Sequence, residues 1–216
     1  MKIKVCGIKS FEQMQQLQEI GINYAGMIFY ENSKRFVEKK LSIQKLEIRD
    51  LAIRKVGVFV NADFETITEA IEEFDLYAVQ LHGDETDEFC MKLMDKTKVI
   101  KVFRIADEAD VDKLIESFQN ACHYFLFDTD TTMYGGSGQK FDWNILEKAK
   151  IHKPFFLSGG IGLDDIQKIK AFQHPYLYAV DINSRFEKAP GVKDMVSVKE
   201  FMNELYDEVS DTTEAQ

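Results

Sequence analysis

The side chains of this chain that could do chemistry follow short apolar runs, where the ends of strands would present them. Cys6 stands in Cys6-Gly7-Ile8-Lys9, at the end of the first run. A cysteine in an apolar run packs as a small hydrophobe. Near a strand's carboxyl end it can also be a base or nucleophile, if a helix N-terminus lowers its pKa. Arg35 closes Tyr30-Glu31-Asn32-Ser33-Lys34-Arg35, which reads either as a solvated face or as a fork for a carboxylate. His82 lies in Gln80-Leu81-His82-Gly83-Asp84. No second histidine or carboxylate lies at metal-ligand spacing from it, so zinc is set aside.

Asp128, in Asp128-Thr129-Asp130, is either a cap or turn residue or a general acid, since partial burial raises a carboxyl pKa. Tyr134-Gly135-Gly136-Ser137-Gly138 lacks the Gly-Lys-Ser/Thr ending of a nucleotide-binding P-loop, and reads as a lid or a long turn. Ser158-Gly159-Gly160-Ile161-Gly162 leads into a helix expected to begin near Asp164. Two glycines between a buried strand and a helix expose backbone N–H groups at the positive end of a dipole, which makes a phosphate cradle. Asp181-Ile182-Asn183-Ser184 follows the last apolar run. Barrel enzymes commonly bind phosphate with the loops after strands seven and eight. The pairing of these two loops points to a phosphorylated small molecule.

The elements that must position these residues are legible as alternation. Apolar runs occur at Ile3–Ile8, Tyr24–Phe29, Val56–Val60, Ala78–Leu81, Val99–Phe103, Tyr124–Phe127, Phe155–Leu157 and Tyr178–Ile182. Most are near-continuous, as in strands of a parallel sheet buried on both faces. Helical spacing lies between them: Phe11, Met14, Leu17, Ile20; Phe64, Ile67, Ala70, Ile71, Phe74; Val111, Leu114, Ile115, Phe118; and finally Val198, Phe201, Met202, Leu205. Ser10 with Gln13 forms a capping-box pattern, Asp63 caps the helix after the third strand, and Asp142 the one after the sixth. The second unit is least defined, with a helix expected around Leu41–Ile48. Strict alternation leaves a doubly wound open sheet or a closed (β/α)8 barrel, and eight units favour the barrel. We expect one barrel domain over residues 1–209 and a frayed, polar, acidic tail over 210–216.

Composition bounds the partners. The 216 residues carry 27 Lys and Arg against 37 Asp and Glu, a formal charge of −10, which argues against binding nucleic acid through its phosphates. A small anion responds instead to the local field. Cys6, Cys90 and Cys122 are odd in number, far apart and form no Cys-x-x-Cys pair, as expected of free thiols in a reducing compartment, the cytoplasm. Met1 to Ser10 lacks the apolar core of a signal peptide. Uncharged runs such as Ser117 to Phe127 fall far short of the ~18 residues of a membrane span. Monomer and homodimer both remain open.

Several segments together resemble the phosphoribosylanthranilate isomerases of tryptophan biosynthesis. They are Lys4-Val5-Cys6-Gly7-Ile8, Ser33-Lys34-Arg35, Val56-Gly57-Val58-Phe59-Val60-Asn61 and Val79-Gln80-Leu81-His82-Gly83-Asp84-Glu85. Then come Asp128-Thr129, Tyr134 to Gly138 with Phe141-Asp142-Trp143, Leu157-Ser158-Gly159-Gly160, and Ala189-Pro190-Gly191-Val192-Lys193-Asp194. They stand in the family's order along nearly the whole chain. The resemblance implies a (β/α)8 barrel without metal or cofactor. It implies an Amadori rearrangement of N-(5-phosphoribosyl)anthranilate to 1-(2-carboxyphenylamino)-1-deoxyribulose 5-phosphate. By the same resemblance Cys6 is the general base, Asp128 the general acid, and Arg35 the holder of the anthranilate carboxylate. The remaining substrate-binding candidates are Gln80, His82, Gly136, Gly159, Gly160, Asp181, Asn183 and Ser184.

The match departs from the family after the eighth strand. Where the family reads Asp-Val-Ser-Ser-Gly-Val-Glu, this chain has Asp181-Ile182-Asn183-Ser184-Arg185-Phe186-Glu187. Arg185 in place of Gly questions any left-handed backbone there, and would add charge near a phosphate. Two rival readings are another sugar-phosphate barrel isomerase, of the histidine pathway or serving both pathways, and a non-catalytic phosphate-ligand-binding barrel.

Overall fold

The computed structural model describes residues 1–37, 44–106, 109–130 and 141–207. Eight parallel strands close into a barrel in chain order: β1 (Lys2–Val5), β2 (Tyr24–Ile28), β3 (Arg54–Phe59), β4 (Ala78–Leu81), β5 (Lys98–Ile105), β6 (Tyr124–Thr129), β7 (Phe155–Leu157) and β8 (Leu177–Ile182). β1 pairs with β8, setting Lys4 opposite Asp181. The helices among the described residues are α1 (Phe11–Ile20), α2 (Lys45–Asp50), α3 (Phe64–Phe74), α4 (Asp87–Met94), α5 (Val111–Ile115), α6 (Asn144–Glu147), α7 (Ile166–Ala171) and α8 (Met195–Tyr206). A two-stranded antiparallel ribbon, β9 (Glu187–Ala189) and β10 (Val192–Lys193), precedes α8.

The strands read as continuous apolar runs because each face meets a different core. One face packs under the helices, through residues such as Phe59, Phe103, Phe125, Phe127 and Phe155. The other fills the barrel with Tyr24, Val56, Ala78, Ile100, Val102, Leu126, Phe156 and Ala179. This alternation of side chains along a strand is the ordinary pleat. It makes the barrel interior a packed layer rather than a pore.

Local signals place the helices. The Ser10 hydroxyl accepts from the Gln13 amide, and the Asp63 carboxylate from the Thr66 amide, each satisfying a backbone donor that the first turn leaves open. Two expectations are corrected. β1 ends at Val5, not Ile8, because Gly7 takes φ +79 and turns the chain out of the sheet. Asp142 accepts from the Asn144 amide, but the residue before the helix is Trp143, and α6 is a single turn. The helix expected near Asp164 does begin there, its first turn being 3-10, Leu163–Asp165, and continuing as α7 from Ile166. Gly136, part of the expected second helix and the 210–216 tail lie outside the described residues.

Candidate active site

A cleft opens at the carboxyl ends of the strands. Its floor follows from the pleat. Two residues along from Val56, Ala78, Leu126, Phe156 and Ala179 of the interior layer stand Val58, Gln80, Asp128, Ser158 and Asp181, all lining the cleft. Cys6, Arg35, His82, Asn183 and Ser184 join them. Residues far apart in the chain are thus brought to one cavity by a period of two on neighbouring strands.

The acid side is built on β4 and β6. The Gln80 Nε2 lies 3.1 Å from His82 Nδ1, and His82 Nε2 lies 3.5 Å from an Asp128 carboxylate oxygen. An amide nitrogen only donates, so Nδ1 accepts and the imidazole hydrogen sits on Nε2, facing Asp128. Burial, with the charges of Lys4, Arg104 and Lys101, lowers the His82 pKa to about 3, so the ring is neutral. Burial and then the charge of Asp181 raise Asp128 to about 6, against the Thr129 amide that its carboxylate accepts. An acid tuned this way still holds a proton in weakly acidic water. Gln80 Oε1 is buried without a hydrogen-bond partner among the described residues, leaving one acceptor for a ligand.

Opposite, Cys6 follows β1, its amide donating to Ile182 O. Lys4, wholly buried, places Nζ 2.9 Å from both carboxylate oxygens of Asp181. Burial works against its ammonium, but Asp181 and the Cys6 sulfur more than restore it, so the Lys4 pKa is raised. Burial also raises the Cys6 thiol, partly offset by Lys4.

At the mouth, Arg35 does not stand open as a fork. Its Nε and Nη2 grip both carboxylate oxygens of Glu187, at 2.7 to 3.1 Å. Glu187 also accepts from Lys193 Nζ at 2.8 Å and from the Gly191 amide at 3.0 Å. Lys193 donates in turn to Asn183 Oδ1 at 2.7 Å. Burial alone would raise Glu187, yet Arg35 and Lys193 hold its pKa below the usual range.

The expected phosphate loops meet at the far end, with one adjustment. Gly160 and Ile161 line the cleft. Gly159 instead makes the turn, at φ +97, where a Cβ would collide with Thr129 Oγ1. Among the described residues, the loop is followed by a 3-10 turn and a six-residue helix rather than by a long helix. The Asp165 carboxylate takes the Gly162 amide at 2.8 Å, and the opposing wall is a second 3-10 turn, Ser184–Phe186. Arg185 lies within that turn and needs no left-handed backbone; its guanidinium pairs with Asp164 at 2.9 Å and reaches Gly160 O at 3.5 Å.

Lys4, Ser158, Glu187 and Lys193 were not among the sequence candidates. Lys4 carried a signal, a charge inside an apolar run that becomes a buried strand. Glu187 and Lys193 stood in the segments after the eighth strand without an assigned role; the ribbon brings Glu187 onto Arg35 and Lys193 onto Glu187.

A family model for N-(5'phosphoribosyl)anthranilate (PRA) isomerase matches residues 3–204. An N-(5'-phosphoribosyl)anthranilate isomerase of Parabacteroides distasonis is 42% identical over 207 residues, 95% of this chain and 93% of the relative. One from Thermotoga neapolitana is 37% identical over 94% of this chain and 97% of its own. Among solved structures, the phosphoribosyl anthranilate isomerase of Thermotoga maritima superposes with a TM-score of 0.81 at 32% identity, covering 95% of this chain and 98% of that one. Another isomerase structure, at TM-score 0.79 and 30% identity over 95% and 98% of the two chains, holds reduced 1-(o-carboxyphenylamino)-1-deoxyribulose 5-phosphate.

Proposed function

The chain belongs to the N-(5'-phosphoribosyl)anthranilate isomerase family, and from that premise we propose which residues carry the reaction. The activity itself is the Amadori rearrangement of N-(5-phosphoribosyl)anthranilate in tryptophan biosynthesis. In our reading Asp128 gives its proton to the ribose ring oxygen. The C1–O bond breaks, and the aniline nitrogen supplies the electron pair that makes the iminium ion. Cys6 as thiolate then takes the C2 proton, the C–H pair becomes the C1=C2 bond of an enolamine, and the positive nitrogen is neutralised. Transfer of the enol proton to C1 gives the ketone, so atoms and charge balance.

The observation that carries this reading is the arrangement of a raised carboxyl and a thiol in one cleft, on β6 and beside β1, with Arg35 and the loops of Gly160 and of Asn183 and Ser184 lining the same cleft. Backbone at Gly160, turned by Gly159, and the segment from Asp181 to Ser184 would hold the phosphate, with Asn183 and Ser184 donating. Ile28, Val58 and Val60 offer an apolar wall for the aromatic ring beside Arg35. Gln80 Oε1 would accept from a ribose hydroxyl, and the neutral His82 N–H would hold Asp128 in place. Lys4, Arg35 and Lys193 balance Asp181, Glu187 and the Cys6 thiolate when Asp128 is protonated, so the cleft is locally neutral in a chain of global charge −10. We place the protein in the cytoplasm, since its three cysteines are free. Among the described residues no helix is long and apolar enough to cross a membrane.

Loss of the substrate's anthranilate fluorescence, followed with purified protein, tests the assignment. Cys6→Ala and Asp128→Asn should each lower kcat by roughly 10²–10⁴-fold with the fold intact. Near-normal kcat in either variant removes that residue from its role.

A further inference from the structure

The thiol of Cys6 meets one unexplained difficulty. It lies at the floor of an apolar-walled cleft, where burial pushes its pKa up. A general base that is almost wholly protonated would be slow. Three charged groups face the sulfur: Lys4 on β1 and Lys193 on β10 oppose the effect of burial, whereas the carboxylate of Asp181 on β8 adds to it.

Geometry singles out Lys4. A Cβ placed on Gly26 of β2 would stand 2.9 Å from Cys6 Sγ and 3.2 Å from Lys4 Nζ. Thiol and ammonium therefore share the space that the missing side chain leaves, over bare backbone. Lys4 and Asp181 are register partners, which fixes the ammonium by its 2.9 Å contacts to both carboxylate oxygens. An ammonium has three hydrogens, and the two contacts to Asp181 leave at least one for the sulfur. Full burial of Lys4 keeps water from screening that interaction.

Resting on the assignment of Cys6 as base, we propose that Lys4 is the positioning residue that gives Cys6 its thiolate character, and that Gly26 is glycine so that the two can meet. Lys4 never touches the reacting carbon. Its ammonium donates to the thiolate before proton abstraction. Asp181 holds that ammonium on the sulfur and keeps it from deprotonating in the barrel interior. Once Cys6 has taken the C2 proton, the ammonium–carboxylate pair is left self-neutralised.

The test is the pH dependence of alkylation of Cys6 by iodoacetamide in the full-length enzyme, read on the Cys6 peptide by mass spectrometry so that Cys90 and Cys122 do not contribute. Lys4→Met should raise the midpoint by about one pH unit or more, and lower the plateau of kcat/KM by the same factor, about tenfold per unit. Gly26→Ala should do the same in smaller measure, by parting sulfur and ammonium while the Lys4–Asp181 pair survives. If Lys4→Met does not fold, Gly26→Ala decides alone, with affinity for reduced 1-(o-carboxyphenylamino)-1-deoxyribulose 5-phosphate as the check that the cleft is intact. An unmoved midpoint overturns the role of Lys4 and leaves Cys6 as base. A moved midpoint with unchanged kcat/KM overturns Cys6 as base, and with it any part of Lys4 in turnover.

Discussion

Glu187 holds the guanidinium of Arg35 by its Nε and Nη2 edge, at 2.7 to 3.1 Å. The residue expected to grasp a substrate carboxylate thus already grasps one of the protein's own. Side-chain exposure of Glu187 is only 4%, and Lys193 supports it from behind. The clasp fixes the plane of Arg35 and leaves Nη1 as the edge for a ligand beside Ile28 and Val58. Orientation has been settled before any substrate arrives, which lowers the entropy lost on binding.

Glu187→Gln therefore acts on binding rather than chemistry. The neutral amide cannot accept two charge-assisted bonds and also serve Lys193. KM should rise by roughly tenfold, the worth of about one such bond, while kcat changes little. Steady-state kinetics check this; a fall in kcat at constant KM would move Glu187 out of the binding apparatus.

The pH profile should run against first intuition. Asp128 titrates at about 6, and Cys6 lies above its ordinary thiol value. Between the two, the prevailing form has the proton on Cys6, and the working form with the proton on Asp128 is its minor isomer of equal proton count. Its fraction is flat across that interval. We expect kcat/KM to climb as pH rises through about 6, to hold a plateau, and to fall only in the alkaline range where Cys6 ionises. A decline that begins at pH 6 would mean Cys6 is already a thiolate there, which sinks the order of the two values.

Stability offers a separate reading of Asp128. Its folded pKa of about 6 exceeds the unfolded carboxyl value, so the folded state holds the proton more tightly. The stabilisation is complete below about pH 4 and is lost as pH rises through the folded pKa, a swing of up to about 3 kcal/mol. Asp128→Asn, which still accepts from the Thr129 amide, should be more stable than the parent at pH 8 and lose that advantage toward pH 4. Thermal unfolding at both pH values checks it; equal differences at the two would show that Asp128 is not buried as a strained carboxylate.

Arg185 replaces a glycine of the family pattern and lies beside the Gly160 loop proposed to hold the phosphate, paired with Asp164. Arg185→Gly should weaken phosphate-ligand affinity a few-fold and flatten its salt dependence, as expected when one partly screened charge is removed. Titration at two ionic strengths measures both. An unchanged affinity and salt slope would show that the Asp164 pair cancels its field.

Alternation of apolar runs with helical spacing was enough to give eight β/α units and, by count, a closed barrel, because burial of both strand faces leaves its mark on every residue of a run. Glycine likewise announced the Gly159–Gly160 loop, since only a residue without Cβ tolerates that turn against Thr129. Cys6, Asp128 and the loops after the last two strands were legible as strand-end positions. Their roles came from the resemblance across many motifs, not from any single residue. Tertiary structure alone decided the partners. The register of β1 on β8 sets Lys4 against Asp181, 177 positions apart in the chain. Folding of the β9–β10 ribbon brings Glu187 onto Arg35 and Lys193 onto Glu187, contacts that no spacing in the sequence announces. Burial, which depends on what closes around a group rather than on its neighbours in sequence, raises the Asp128 carboxyl and keeps His82 neutral. Pattern in a chain reports which face of a strand is buried; which charges meet there depends on closing the barrel.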